Sequence, residues 1–237
     1  MTGSVPTVTK GACRKYRILD LFCCAGGAGE GYRRAGFDVT GVDINPQPHN
    51  PHRFIQGDAL EYLRDHGHEY DAIHASPPCQ GYSKTLRMNP HLAGTYPELI
   101  DGVRMILESF SCPWVIENVE GAPLQSYSGL FGGHGVMLCG SMFGLGVDRG
   151  YLRRHRIFET SFGLPQLQCN HDGPAVGVYG HGSCAGKPRM LAKDEAAIAL
   201  GIDWMTRDEM AQAIPPAYTE WIGKRLMGVC QSAEEAT

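Results

Sequence analysis

Short apolar runs separated by polar and glycine-rich breaks set the rhythm of the chain from Tyr16 onward. Arg17-Ile-Leu-Asp-Leu-Phe22 is too short for a buried helix and runs into Cys23-Cys-Ala-Gly-Gly-Ala-Gly29, so the pattern predicts a strand and then a tight turn. Glu30-Gly-Tyr-Arg-Arg-Ala-Gly36 reads as a helix and Asp38–Asp43 as a second strand. Further apolar runs at Phe54–Gln56, Asp71–Ala75, Trp114–Ile116 and Ile157–Phe158 alternate with helical patterning at 59–65 and 97–110. Strands alternating with helices predict an α/β, doubly wound, Rossmann-like sheet with crossover connections.

The rhythm fails in two places. Residues 1–15 are polar without a hydrophobic period and read as a flexible arm. From Gly163 to Pro188 the chain is dense in Gly, Pro, His and Gln, which predicts a small insertion over 161–207. Helical patterning returns at Lys193–Leu200 and again from Pro215-Pro216 to Met227, where proline suits the first turn of a helix. The expected organisation is an arm (1–15), a main unit (16–160), the insertion (161–207) and a C-terminal helix completing the main unit (208–237).

Composition narrows this picture. A chain of 237 residues suits one domain, and 43% hydrophobic with 19% charged residues is globular rather than fibrous or repetitive. The net charge of -4 excludes a surface coated with positive charge, so any site for a polyanion has to be local. Nine cysteines stand at 13, 23, 24, 79, 112, 139, 169, 184 and 230 without a CxxC pair, a signal peptide or a membrane-length apolar run. A reducing, intracellular setting is the expectation, with Cys112, Cys139 and Cys230 as ordinary buried cysteines.

The glycine turn after the first strand would let backbone amides approach a ligand at the C-terminal edge of the sheet. Asp43 ends the second strand, where a carboxylate suits both hydroxyls of a ribose. Asp58 ends the third strand and is expected to read an adenine amino group, with Phe22 stacking on the ring. A nicotinamide dinucleotide fingerprint would need G-x-G-x-x-G, whereas this run is A-G-G-A-G. S-adenosylmethionine fits the pattern better.

Three further segments carry chemistry. Tyr70–Ala75 leads into Ser76-Pro77-Pro78-Cys79-Gln80-Gly81-Tyr82-Ser83, where two prolines restrict the backbone before a cysteine, as suits a nucleophile. Trp114-Val-Ile116 delivers Glu117-Asn118-Val119 to the same edge, and a partly buried Glu117 would have a raised pKa and could donate to a ring nitrogen. Leu152–Phe158 reads as one strand with Arg154 and Arg156 on one face, Arg153 and His155 on the other. Two guanidinium groups there could hold a carbonyl and a phosphate. In the insertion, Gly177–Lys187 could follow phosphates while Lys187 and Arg189 neutralise charge. Cys169, His171 and Cys184 fit no usual zinc spacing and show no fourth ligand, so no metal is expected.

In this order, DLFCCAGGAG at 20–29, GVDIN at 41–45, SPPCQGYS at 76–83, ENV at 117–119 and RHR at 154–156 closely resemble the cytosine-C5 DNA methyltransferase family. The resemblance covers roughly 17–160 and returns from Ala213-Ile-Pro-Pro-Ala217 to Gly223. It implies a methyltransferase-type mixed sheet with S-adenosylmethionine held by Phe22, Ala25, Gly26, Gly27, Asp43, Ile44, Asp58 and Pro78. It further implies that Cys79 adds to cytosine C6, Glu117 contacts N3 and the exocyclic amine, Arg156 holds the base carbonyl and Arg154 steadies the Cys79 loop. Gln80, Ser83, Lys187 and Arg189 become the expected nucleic-acid contacts, the substrate double-stranded DNA with its cytosine flipped out, and the protein a monomer. The family's usual glutamine is Leu152 here, and its Gly-Asn before the last motif is Ala211-Gln212. The small insertion implies a short or relaxed target site. Transfer RNA as substrate, or a non-catalytic nucleic-acid-binding role, remains the alternative.

Overall fold

The computed structural model describes residues 14–78, 99–124, 135–179 and 189–235, with Arg189 described by its backbone alone. Apolar runs form the parallel strands β1 (Arg17–Leu21), β2 (Asp38–Asp43), β3 (Arg53–Gln56), β4 (Ala72–Ala75) and β5 (Trp114–Asn118). Every residue of β4 and β5 is buried, as in strands covered on both faces, whereas β3 at the sheet edge is only half-buried. The seven-stranded sheet runs β3-β2-β1-β4-β5-β9-β6, with β6 (Gly135–Leu138) and β9 (Arg156–Thr160) completing it. β9 is antiparallel to both neighbours, so the sheet is mixed.

Helices cover both faces, as the doubly wound reading requires. Alternation along β1 sends Ile18 to a core with Tyr32, Phe37 and Val39, and Leu19 and Leu21 to a core with Leu63, Val103 and Leu107. The first core lies under α1 (Gly27–Arg34) and the second under α2 (Ala59–His66) and α3 (Ile100–Leu107). A buried ion pair joins α3 to the sheet: Arg104 Nε donates to Glu159 Oε1 at 2.7 Å and Nη2 to Oε2 at 2.8 Å.

A second sheet of four short strands, β11-β10-β8-β7, comprises β7 (Gly146–Val147), β8 (Gly150–Leu152), β10 (Ala175–Gly177) and β11 (Arg189–Met190). Its own core includes Leu152, Val176, Leu191, Leu200 and Met210, with α4 (Lys193–Leu200) and α5 (Arg207–Gln212) packed alongside. The insertion was expected to lack strands and instead supplies β10 and β11, while β7 and β8 come from before residue 161. Strands of two or three residues leave too little pattern to read. Helix α5 had a readable signal, because Thr206 and Glu209 form a capping box in which Thr206 N donates to Glu209 Oε2 at 2.6 Å.

Two further expectations need correcting. Leu152–Phe158 is not one strand: β8 ends at Leu152 in the small sheet, β9 begins at Arg156 in the large one, and residues 153–155 bridge them. Helix α1 begins at Gly27 rather than Glu30, so the glycine run is helical backbone. Low helix propensity is overridden there by packing against α6 (Pro216–Glu235), the longer C-terminal helix. A Cβ on Gly31 would lie 2.1 Å from Thr219 Oγ1 and 2.2 Å from Pro216 O, so only glycine admits the crossing.

Asp20 is buried beside Ile18 on β1, and neither carboxyl oxygen has a full hydrogen bond among the described residues. Burial pushes its pKa up to about 8; the Gly29 amide opposes this, while Asp43 and Glu117 add to it. A carboxyl raised above its unfolded value of 3.8 stabilises the fold below that pH, and the contribution is lost as pH climbs toward 8. Asp20→Asn should therefore gain stability relative to wild type between pH 4 and pH 8, by on the order of a few kcal/mol, in urea unfolding at each pH. Gly31→Ala should cost about 3 kcal/mol or more by the same measurement, since the new methyl meets backbone and not a movable side chain.

Candidate active site

The topology gathers the candidate residues at one edge of the large sheet. The parallel strands deliver their C-terminal ends there: Phe22 after β1, Asp43 and Ile44 at β2, Asp58 after β3, Pro77-Pro78 after β4 and Glu117-Asn118 on β5. Because β9 runs the other way, its first residue, Arg156, arrives at the same edge, opposite Leu138 of β6. Asn118 Nδ2 donates to Pro77 O at 2.9 Å and ties the ends of β4 and β5 together.

The turn after β1 is held in an unusual backbone. Phe22 and Cys24 have φ of 59° and 45°, a left-handed region costing about 1–3 kcal/mol for such side chains. Compensating bonds hold it: Cys24 N donates to Asp43 Oδ2 at 3.0 Å, Asn50 Nδ2 to Cys24 O at 3.0 Å, and Trp204 Nε1 to Ala25 O at 2.9 Å. Asp43 Oδ1 accepts from Asn45 N at 2.9 Å, so this buried carboxylate ties the turn after β1 to the segment after β2. Ala25, Gly26 and Gly27 are buried against the protein itself: a Cβ on Gly26 would meet Asn50 Oδ1 at 2.8 Å, and one on Gly27 Ile214 O at 2.6 Å. The glycines were expected to make room for a ligand, and in this fold they make room for the chain. Asp58 is exposed and caps α2, its Oδ1 accepting from Leu60 N at 2.8 Å and Glu61 N at 2.9 Å.

An adenosyl group still fits this edge. Ile44 is 65% exposed beside the buried Asp43, Phe22 is half-buried, and a Cβ on Gly57 would meet nothing within 4 Å. Apolar surface next to a carboxylate at strand ends matches the donor set such a cofactor needs.

Glu117 is the most constrained acid at the edge. It is buried, and burial pushes its pKa up against the opposing pull of Arg156, Ser76 and Arg154. Arg156 Nε lies 3.0 Å from Glu117 Oε1, an ion-pair distance without hydrogen-bond alignment, which leaves Oε1 with no hydrogen bond among the described residues. On its other side Glu117 is hydrogen-bonded to Ser76, Ser76 Oγ lies 2.8 Å from His74 Nε2, and His74 Nδ1 lies 2.9 Å from the Tyr32 hydroxyl. Burial lowers the pKa of His74 to about 3, so the ring is neutral, with one nitrogen donating and the other accepting. Sequence reasoning missed this relay because His74 and Tyr32 look like core residues.

The two arginines serve different bodies. Arg154 Nη1 donates to Val178 O at 3.1 Å and Nη2 to Ala211 O at 2.8 Å, while the Tyr218 hydroxyl donates to Arg154 O at 2.6 Å. Burial lowers its pKa to about 9, Arg156 adding to the effect. Among the described residues Arg154 thus braces the small sheet and the segment before α6, and Arg156 faces Glu117. Pro78 is half-buried at the end of β4; Cys79, Gln80, Ser83 and Lys187 lie outside the described residues, as does the side chain of Arg189. A groove of about 520 Å³ along the small sheet, lined by Leu145, Val147, Tyr151 and Ile198 among others, contains none of the candidate residues.

No helix among the described residues is long and apolar enough to cross a membrane. No family model matches the chain. It is 32% identical over 120 residues, 44% of its length, to the type II methyltransferase M.XorII of Xanthomonas oryzae pv. oryzae, and spans 28% of that protein. It is 28% identical over 217 residues, 85% of its length, to the type II methyltransferase M.HgiDI of Herpetosiphon aurantiacus, and spans 63% of it. In fold it is similar to an Escherichia coli prophage protein described as a DNA modification methyltransferase, with a TM-score of 0.59 at 16% identity over 90% of this chain and 99% of that one. The methyltransferase EhMeth of Entamoeba histolytica gives a TM-score of 0.58 at 13% identity, over 91% of this chain and 99% of that one. The chain thus has sequence relatives named type II methyltransferases, of whose length it spans less than two thirds, and a fold of the methyltransferase type, and the cofactor these imply is S-adenosylmethionine.

Proposed function

We propose that the chain methylates C5 of a flipped-out cytosine in double-stranded DNA, at a short or relaxed target site, through a covalent adduct on Cys79. The observation that carries this reading is Glu117: a buried carboxyl with a raised pKa and an oxygen that has no hydrogen bond among the described residues, beside Arg156. Such a group is suited to donate to N3 of a cytosine while Arg156 holds the ring carbonyl. The relatives named as type II methyltransferases favour DNA as the substrate.

The Cys79 thiolate adds to C6, and the electrons of the C5–C6 double bond shift to C5 as Glu117 protonates or hydrogen-bonds N3. S-adenosylmethionine, when bound, would supply an electrophilic methyl group on a sulfonium, the bond to C5 forming as the methyl–sulfur bond breaks and its electron pair stays on sulfur as a neutral thioether. Loss of the C5 proton to water re-forms the double bond and expels Cys79 as thiolate. Ser76 and His74 fix the rotamer of Glu117, and the Asn118 bond to Pro77 O fixes the backbone that leads to Cys79. Extruding the base costs a few kcal/mol, which phosphate contacts help to offset.

Incubation with radiolabelled methyl donor and either duplex DNA or transfer RNA tests the substrate: label should enter DNA at C5 of cytosine, and label only in RNA overturns the proposal. Cys79→Ala should abolish transfer while cofactor affinity by calorimetry stays unchanged. Glu117→Gln should slow transfer by roughly 100-fold or more, since the amide cannot give up a proton. Asp43→Ala should weaken cofactor binding about tenfold or more by calorimetry, with a thermal melt run alongside because Asp43 also braces the turn.

A further inference from the structure

Four side chains from three separate segments turn their donor atoms toward one another beside the candidate active site. They are Cys139, which follows β6, His155, in the bridge before β9, and Cys169 and His171, in the segment between β9 and β10. Their sulfur and nitrogen atoms all lie within 4.8 Å of each other. We propose that Cys139, His155, Cys169 and His171 form a structural zinc site that clamps the segment after β9 onto the sheet edge carrying Arg154 and Arg156.

The spacing of the atoms carries the argument. Cys139 Sγ lies 3.5 Å from His171 Nε2, Cys169 Sγ 3.6 Å from His155 Nε2, and the two Nε2 atoms 3.3 Å apart. A tetrahedral ion with Zn–S of about 2.3 Å and Zn–N of about 2.05 Å requires S to N separations of about 3.6 Å and an N to N separation of about 3.3 Å. Three of the six separations therefore match the edges of a zinc tetrahedron, and the other three lie within 4.8 Å. Two thiol protons can serve the two Cys–His approaches, but both Nε2 atoms are then acceptors and face each other at 3.3 Å, whereas one cation satisfies all four donor atoms. Two sulfurs with two imidazoles form a donor set that selects zinc over the oxygen-loving divalent ions. Four protein ligands leave no open position, which marks a structural rather than a catalytic ion.

The surroundings agree. His155 Nδ1 faces Glu120 Oε2 at 3.8 Å, longer than a hydrogen bond, on the side from which a carboxylate orients a ligating imidazole with its other nitrogen inward. The Tyr151 ring stacks on His171 at 5.4 Å with an interplanar angle of 4°. Cys139 is buried, His155 and Cys169 are half-buried and His171 is exposed, so an ion has a route in from solvent. Glu120 follows the Glu117-Asn118-Val119 motif, and His155 sits between the two arginines, whose Arg156 Nη1 donates to His155 O at 2.8 Å. The ion would thus fix the backbone on both sides of the Glu117–Arg156 pair.

The test is metal analysis of the full chain purified under reducing conditions without chelator. Wild type should hold about one zinc per chain by mass spectrometry of the metals, and cobalt substituted for it should give the visible absorption and thiolate charge-transfer bands of a tetrahedral site. Cys169→Ser and His171→Gln, at the more accessible ligands, should lose the zinc and the cobalt bands, while Cys112→Ser keeps both. Removing the zinc from wild type with a strong chelator should lower its melting temperature by several degrees, a readout that does not depend on the variants folding. Wild type that neither retains zinc nor takes up cobalt, metal that persists in both ligand variants, or a Cys139–Cys169 disulfide in its place would overturn the proposal.

Discussion

Gly31 lets the first turn of α6 rest directly on the backbone of α1, and the sheet edge described above depends on that contact. With the two helices this close, Thr219 Oγ1 reaches Ala28 O at 2.8 Å, the Tyr218 hydroxyl reaches Arg154 O, and Ile214 lies against Gly27. One helix therefore braces both the turn after β1 and the first arginine of the pair. A side chain at Gly31 would displace these supports together, because interiors this closely packed relax only in part.

Away from this contact, much of the fold could be read from the sequence. Strands β1, β2 and β4 are apolar runs of strand length bounded by glycine, acid or proline, and α2 and α4 carry a helical period, so local pattern and tertiary role agree. Where they disagree, reading fails. Gly27 to Gly29 look like a turn because glycine disfavours helix, yet they open α1, where a Cβ on Gly27 would lie 2.6 Å from Ile214 O. Leu152–Phe158 alternates like one strand, yet its two ends pair in different sheets, and nothing local announces the bridge at 153–155. Asp43 and Glu117 stand at the edge where their strand ends put them, although Asp43 also does structural work that its sequence position does not reveal.

Long-range groupings were the hardest to see. Only Cys169-x-His171 is a local signal; Cys139 and His155 reach it through β6 and β9, and Cys139 alone resembles a core cysteine. The Tyr32, His74, Ser76 and Glu117 relay likewise joins α1, β4 and β5 through side chains that are individually unremarkable. In both cases the sheet supplies the proximity. The relay keeps a neutral imidazole behind a buried acid, and the cluster lies across the strand that carries Arg156.

The reversed strand β9 has a consequence for the order in which the sheet is built. Among the described residues β6 pairs in the large sheet with β9 alone, which comes after it in the chain and is its link to β5. During synthesis β6 therefore has no partner in the sheet until β9, the strand that begins with Arg156, has followed it. The strand that joins β6 to the sheet is also the one that sets Arg156 against Glu117, so an intermediate in which β9 has not docked on β5 lacks the pair and exposes an unfinished β edge, the kind of surface on which chains aggregate.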